Sequence, residues 1–244
     1  MKKKVPIDSL KQFLSVKNET LTSADLFFYG DIVSDWWGAW NDTDQYPEAI
    51  REFLKGCEGK DLNIYINSAG GSVFAGIAIY NMLSRHKGFK TVHVDGMAAS
   101  IASVIALAGD RVIVPSNAFL MIHKPWAECT GNADDCRKMA DDLDAVEAGI
   151  LNVYKAHLAE GATIEDIQRM VAEETWLNGE EAAKYFAVET GEAKAYAAKI
   201  TETAQTYGKI PDQIIKSAQA ARDNTAEMRE KITRLELQAI TKGA

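Results

Sequence analysis

The chain has 244 residues, 47% of them hydrophobic and 25% charged, a globular composition long enough for one well-buried core or two small ones. That excludes a disordered chain, and 17 glycines and 5 prolines are too few for a fibrous or linker-rich protein. A formal charge of -8 with a pI near 5.1 argues against nucleic acid and leaves proteins or small molecules as partners.

Cys57, Cys129 and Cys136 are odd in number and include no CxxC pair or His at ligand spacing. No metal site or cofactor is expected, and the cysteines read as thiols of a reduced cytoplasm. In MKKKVPIDSLKQF, Asp8 and Lys11 interrupt any apolar run that a signal peptide would need. The longest mostly apolar run, Gly96 to Gly109, falls short of the roughly 20 residues that cross a bilayer. Neither export nor membrane insertion is expected.

Residues 1–24 are polar and without a lasting period, and read as an arm. LFFYGDIV then predicts a short strand ending at a Gly-Asp turn, and Tyr46 to Leu54 has helical spacing with Pro47 at its start. LNIYIN (62–67) predicts a strand that stops at the paired glycines of SAGGS. A helix from Phe74 to His86, the strand KTVHVD, a turn at GMAAS, an apolar helix to Ala108 and the strands RVIVP and AFLMIH follow. Strands alternating with helices of this length predict an α/β fold with largely parallel pairing.

Asn132 to Leu158 predicts a long charged helix with apolar positions at Met139, Leu143, Val146, Ile150, Val153 and Tyr154. Its stripe must lie on the chain's own core or on another subunit. A helix from Ile164 to Ala172 leads to TWLNGEEAAKYF, where Asn178 or Gly179 can cap a helix starting at Glu180. In the tail, Ile214, Ala218, Ala221, Thr225, Met228, Ile232, Leu235 and Ala239 recur at steps of four and three, the spacing of a weak coiled-coil seam. Residues 206–244 hold seven Lys or Arg against five Asp or Glu. Such a tail can dock on an acidic partner or lie on its own domain.

Two turns, Ser68 to Gly71 and Gly96 to Ser100, follow strands and precede helices, so in a parallel sheet both sit at its carboxyl edge. Glycine lets backbone N–H groups approach a substrate oxygen, and a helix N-terminus adds partial positive charge. Ser100 stands at a helix mouth and His123 closes the strand FLMIH. Taken alone, these are a turn, a cap and an edge histidine. Together they are the parts of nucleophilic acyl transfer.

INSAGGSVFAGIAIYNML, GMAASIASVIALAG and RVIVPSNAFLMIHKP resemble the three signature blocks of ClpP, a serine peptidase family whose rings are built from the crotonase-like fold. The resemblance runs from Leu26 to Ala187 and implies an α/β fold of repeated ββα units with a protruding handle helix, the stretch from Asn132. It implies Ser100 as nucleophile, His123 as general base, and the N–H groups of Gly70 and Ile101 as the oxyanion hole. The third member aligns with Glu174, before Trp176-Leu177, where the family has aspartate. Glutamate is one methylene longer and needs a compensating backbone or rotamer, with Glu173 as the alternative. The domains implied are an arm (1–24), a peptidase domain (25–205) and a helical tail (206–244).

Ala69 in place of proline, the altered ending EAAKYFAVETG, the unfamiliar N-terminus and the extra tail resemble the head maturation proteases of tailed phages and prophages. The expectation is a serine endopeptidase in a homo-oligomer, heptameric rings stacked in pairs, acting on protein substrates such as capsid or scaffold proteins in the bacterial cytoplasm or the phage procapsid. The alternative is a housekeeping ClpP subunit working with a Clp ATPase. From other classes come an acyl-CoA enzyme of the crotonase type and a catalytically silent ring scaffold.

Overall fold

β-branched and aromatic runs that end in glycine turns fold into a seven-stranded sheet in the computed structural model, which describes residues 20–41, 43–193, 201, 203–216, 218–220 and 223. The strands are β1 (Ser23–Phe28), β2 (Asp61–Ser68), β3 (Lys90–Ala99), β4 (Arg111–Pro115), β5 (Phe119–Ile122), β6 (Thr175–Asn178) and β7 (Glu189–Gly191). The helices are α1 (Pro47–Gly56), α2 (Val73–Ser84), α3 (Ile101–Ala106), α4 (Ala133–Ala156), α5 (Ile164–Ala172) and α6 (Gly179–Tyr185). The main path β1-β2-β3-β4-β7 is parallel, and β5 branches from β3 to pair antiparallel with β6. This is the α/β architecture that the alternation of elements predicts.

Ser23 and Ala24 of the expected arm belong to β1, and β6 and β7 are strands the sequence reading did not expect. The branch explains a further difference. GMAA is not a turn. Met97, Ala98 and Ala99 continue β3 and pair with Phe119, Leu120 and Met121, while Ser68 lies beside Ala98 past a register shift in the β2–β3 pairing that leaves the extra residues in β3. Burial follows the pairing: β3 alternates from Lys90 to Val94 and is then buried without a break to Ala99, where strands flank both edges. Small residues suit that crowded stretch. β3 therefore delivers Ser100 directly, and α3 starts at the next residue.

The main core joins β1 to β5 with faces of all six helices, and includes Phe28, Ile64, Val92, Ile105, Ile150, Tyr154 and Phe186. Ile150 and Tyr154 thus seat the C-terminal half of α4 on the chain's own core, whereas Leu143 is half-buried and most positions before it are exposed. Asn132 caps α4 through a capping box with Asp135. Cys129 and Cys136, expected as free thiols, form a disulfide with Cα atoms 5.8 Å apart, inside the span such a bond needs. It ties the loop before α4 to the first turn of the helix. Cys57 is a buried thiol.

A smaller cluster lies beneath the carboxyl edge: Ala69, Met97, Ala99, Phe119 and Met121, with Ala204, Tyr207 and Ile214 from the far end of the chain. Packing therefore runs across the expected boundary at 206. Ile214 and Ala218, the first two seam positions, are buried in this structure, and Ala221, Thr225, Met228, Ile232, Leu235 and Ala239 lie outside the described residues. So do residues 1–19 of the expected arm. Among the described residues no helix is long and apolar enough to cross a membrane.

Gly76 on α2 is where the helix layer meets the residue after Ser100. A methyl at Gly76 would lie 2.1 Å from Ile101 Cγ1, and Ile101 is fully enclosed. Gly76→Ala should therefore destabilise the fold by about 1–3 kcal/mol through overpacking, measured as a lowered midpoint in urea at unchanged slope.

Candidate active site

Three strands end within a few ångströms of one another, β2 at the glycine turn, β3 at Ser100 and β5 at His123. Ser100 has φ +55°, in the region that side chains rarely enter. Its N–H donates to Met121 O of β5 at 2.9 Å, and its carbonyl accepts from Ser103 N–H at 2.9 Å and Ser103 Oγ at 2.6 Å. Ser103 Oγ also lies 2.8 Å from the Tyr154 hydroxyl on α4. A serine has one hydroxyl proton, here given to Ser100 O, so Tyr154 is the donor in that second bond. Both side chains are buried, and burial pushes the Tyr154 phenol above its ordinary pKa.

This arrangement turns the Ser100 side chain toward the neighbouring strand end. His123 Nε2 is 2.8 Å from Ser100 Oγ, the contact through which an imidazole takes a hydroxyl proton. Burial holds the His123 pKa below the usual histidine value, and the negative charge of Glu174 works against that shift. The imidazole is thereby kept neutral at neutral pH, the state a base requires.

The glycine turn abuts Ser100. Gly70 and Gly71 have φ of +94° and +138°, and a methyl on Gly70 would sit 2.7 Å from Ala99 O, 2.9 Å from Ser100 Cβ and 3.2 Å from Ile101 N. Only glycine fits there. Ile101 N–H is at the first position of α3, beside Ser100. The Gly70 N–H, however, donates inward to Ser68 Oγ at 3.1 Å, and Ser68 Oγ donates to Gly30 O at 2.6 Å. Gly71 N–H has no hydrogen-bond partner among the described residues.

Glu174 follows α5 with φ +52°, a left-handed residue that turns the chain from helix to β6. Its charge reaches His123, but the carboxylate hydrogen bonds go elsewhere: Oε2 accepts from Gly208 N–H at 3.1 Å and Oε1 from Lys209 N–H at 2.8 Å. Glu173 caps α5, and its carbonyl accepts from Lys209 Nζ. Between these two glutamates, Glu174 is the one whose charge acts on the imidazole.

Tyr207 completes the surroundings. Its hydroxyl donates to Ala69 O, close to the Ser100 side chain, while its ring packs against His123 and Trp176 in T-shaped contacts at centroid distances of 5.1 and 6.1 Å. Burial raises the phenol pKa. A cavity of about 350 Å³ opens beside it, lined by His123, Pro125, Trp126, Glu174 and Tyr207 among others. The structure brings Ser100, His123, Glu174 and the glycine turn, all singled out in the sequence, to one sheet edge, and adds Ser103, Tyr154 and Tyr207, which sequence reasoning did not place there. Ser103 is one helical turn from Ser100 and was open to discovery, whereas Tyr207 is 107 residues away and carries no local signal.

Residues 52–190 match the family model described as Clp protease. The chain is 33% identical over 130 residues to the ATP-dependent Clp protease proteolytic subunit of Porphyromonas gingivalis, covering 52% of this chain and 57% of that protein. It is 32% identical over 130 residues to the protein of the same name from Bacteroides fragilis, covering 52% of this chain and 61% of that one. The chain thus spans about three fifths of the length of these relatives. The matched residues include the Ser68 to Gly71 turn, Ser100, His123 and Glu174, and on that basis the chain belongs to the Clp protease family.

Proposed function

We propose that the chain is a ClpP-type serine endopeptidase, with Ser100 as nucleophile and His123 as general base. The observation that carries this reading is the 2.8 Å contact between Ser100 Oγ and His123 Nε2 at the carboxyl edge of a parallel sheet. In the acylation step His123 takes the hydroxyl proton as Oγ bonds to the scissile carbonyl carbon. The same proton then goes to the departing amine as the C–N bond breaks, and water repeats the cycle on the acyl-enzyme. Glu174 stabilises the imidazolium formed in between through its negative charge.

Charge on the substrate oxygen is met by the Ile101 N–H and by the glycine turn. Gly70 serves there once its N–H leaves Ser68 Oγ, and the unpartnered Gly71 amide is the neighbouring donor. For assembly we propose a homo-oligomeric ring, heptameric and stacked in pairs, with the exposed N-terminal half of α4 as the contact between rings. The biological setting we favour is capsid or scaffold processing in phage head maturation, supported by Glu174, Ala69 and the residues beyond 190. The printed name of the relatives favours a second reading, a proteolytic subunit served by a Clp ATPase. Co-purification with such an ATPase, and stimulated protein degradation, would decide for the second.

A fluorophosphonate probe should label the protein on Ser100 and leave Ser100→Ala unlabelled. Peptide hydrolysis should fall on the order of 10³-fold or more in Ser100→Ala and in His123→Ala, because the two act as a unit. Sustained turnover in either variant rejects the mechanism. Activity should hold as pH drops to about 6.5 and decline only below it, because burial makes the imidazole harder to protonate than free histidine.

Glu174→Ala should cost at least about 100-fold in hydrolysis, and Glu173→Ala little, in kinetic assays at neutral pH. The two positions on α4 should separate as well. Leu143→Glu should reduce particle size in light scattering with the protomer still folded, whereas Ile150→Glu, which places a charge in the protomer's own core, should destabilise the fold by about 3 kcal/mol or more.

A further inference from the structure

Tyr207 occupies a place that the proposed reaction needs for substrate. A scissile carbonyl must enter between the glycine turn and Ser100, and the Tyr207 hydroxyl sits at that entrance, donating to Ala69 O of the turn close to the Ser100 side chain. The ring covers the edge of His123 at 5.1 Å. The next two residues take up the carboxylate expected to orient that histidine, through Gly208 N–H and Lys209 N–H on Glu174. Base, acid and glycine turn are all contacted by three consecutive residues, beside the nucleophile.

The segment is also fastened on both sides of this contact. Upstream, Thr203 Oγ1 donates to Asp31 Oδ2 at 2.8 Å and Ala204 is buried. Downstream, Lys209 Nζ donates to Glu173 O, and Ile214 is buried in the cluster with Ala69, Met97 and Met121. The seat is not fully satisfied. Asp31 Oδ1, beside the Thr203 contact, and Trp176 Nε1, on the ring that packs against Tyr207, are buried with no hydrogen-bond partner among the described residues, a cost that displacement of the segment would relieve by admitting water. A contact that fills a cleft while leaving polar atoms unpaired is suited to exchange.

We propose that Thr203–Lys209 is a docked peptide: the cleft beside Ser100 is a peptide-binding groove occupied in cis by this segment, which excludes substrate and withholds Glu174 from His123 until it is displaced. The proposal rests on the serine-peptidase reading above. An extended protein substrate competes for the same groove, and its entry frees the glutamate at the moment the base is required.

The rate at which a fluorophosphonate labels Ser100 tests this in the full chain. Tyr207→Ala should label about 10-fold faster or more than the unaltered protein, and the double variant Thr203→Val, Lys209→Ala, which loosens the fastenings and leaves Tyr207 in place, should label several-fold faster. A synthetic peptide of residues 203–210 should slow labelling of Tyr207→Ala in competition with the probe, and the same peptide with alanine for the tyrosine should not. Labelling that stays equal or becomes slower in both variants, with native near-ultraviolet circular dichroism, overturns the proposal and leaves the peptidase reading standing. If Tyr207→Ala fails to fold, the double variant alone decides by the same criterion. Absence of any Ser100-dependent labelling in every protein would reject the peptidase reading, and the proposal with it.

Discussion

The narrow gap between the carboxyl ends of β2 and β3 is the constraint on which the site depends. It is narrow because Gly70 carries no side chain where Ala99 O, Ser100 Cβ and Ile101 N crowd in, and the turn is held from its other side by Ile32, whose O would lie 2.1 Å from a methyl on Gly71. Closing the gap brings the helix-mouth amide at Ile101 beside the glycine turn. It also forces Ser100 into a left-handed conformation, a strain that one bond from β5 and two from Ser103 hold in place. A wider gap would relax the serine and separate the parts that a carbonyl has to touch together.

Legibility in the sequence followed interaction range. Periodicity and turn chemistry placed β1, β2, β4, β5 and the first part of β3, α5 to the residue, and Asn178 as one of two candidate caps, since each depends on neighbours within a few positions, whereas the short β6 and β7 were not read as strands. The extension of β3 through Met97–Ala99 was not readable, because a run of small apolar residues after glycine suits a turn as well as a crowded strand, and only the β5 branch selects the strand. The Cys129–Cys136 bond escaped for a related reason: seven residues separate them, and nothing local says that the loop folds back on the helix. At the site, Ser100 and His123 stood at element ends where chemistry is expected. Ser103, Tyr154 and Tyr207 became site residues only through tertiary packing.

Glu174 shows how one carboxylate can be divided between two tasks. Aspartate at the same backbone position would reach less far, and the additional methylene lets the group accept two amides of a distant segment while its charge still acts on the imidazole. Burial and that charge oppose one another at His123, with burial prevailing. Drawing the carboxylate into closer contact would raise the basicity of the imidazole. The electrostatics and the packing of residues 203–209 are therefore coupled through a single side chain.

The link from Tyr154 through Ser103 to the Ser100 carbonyl has a mechanical side. α4 is a continuous 24-residue rod, and at 1.5 Å per residue its exposed first turns stand about 30 Å from the tyrosine near its other end. Ile150 and Tyr154 anchor the rod in the core, so one rigid element joins those exposed turns to the backbone carbonyl of Ser100 through two hydrogen bonds. A displacement of the rod that reached Tyr154 would bear on a serine whose backbone already sits off its resting conformation.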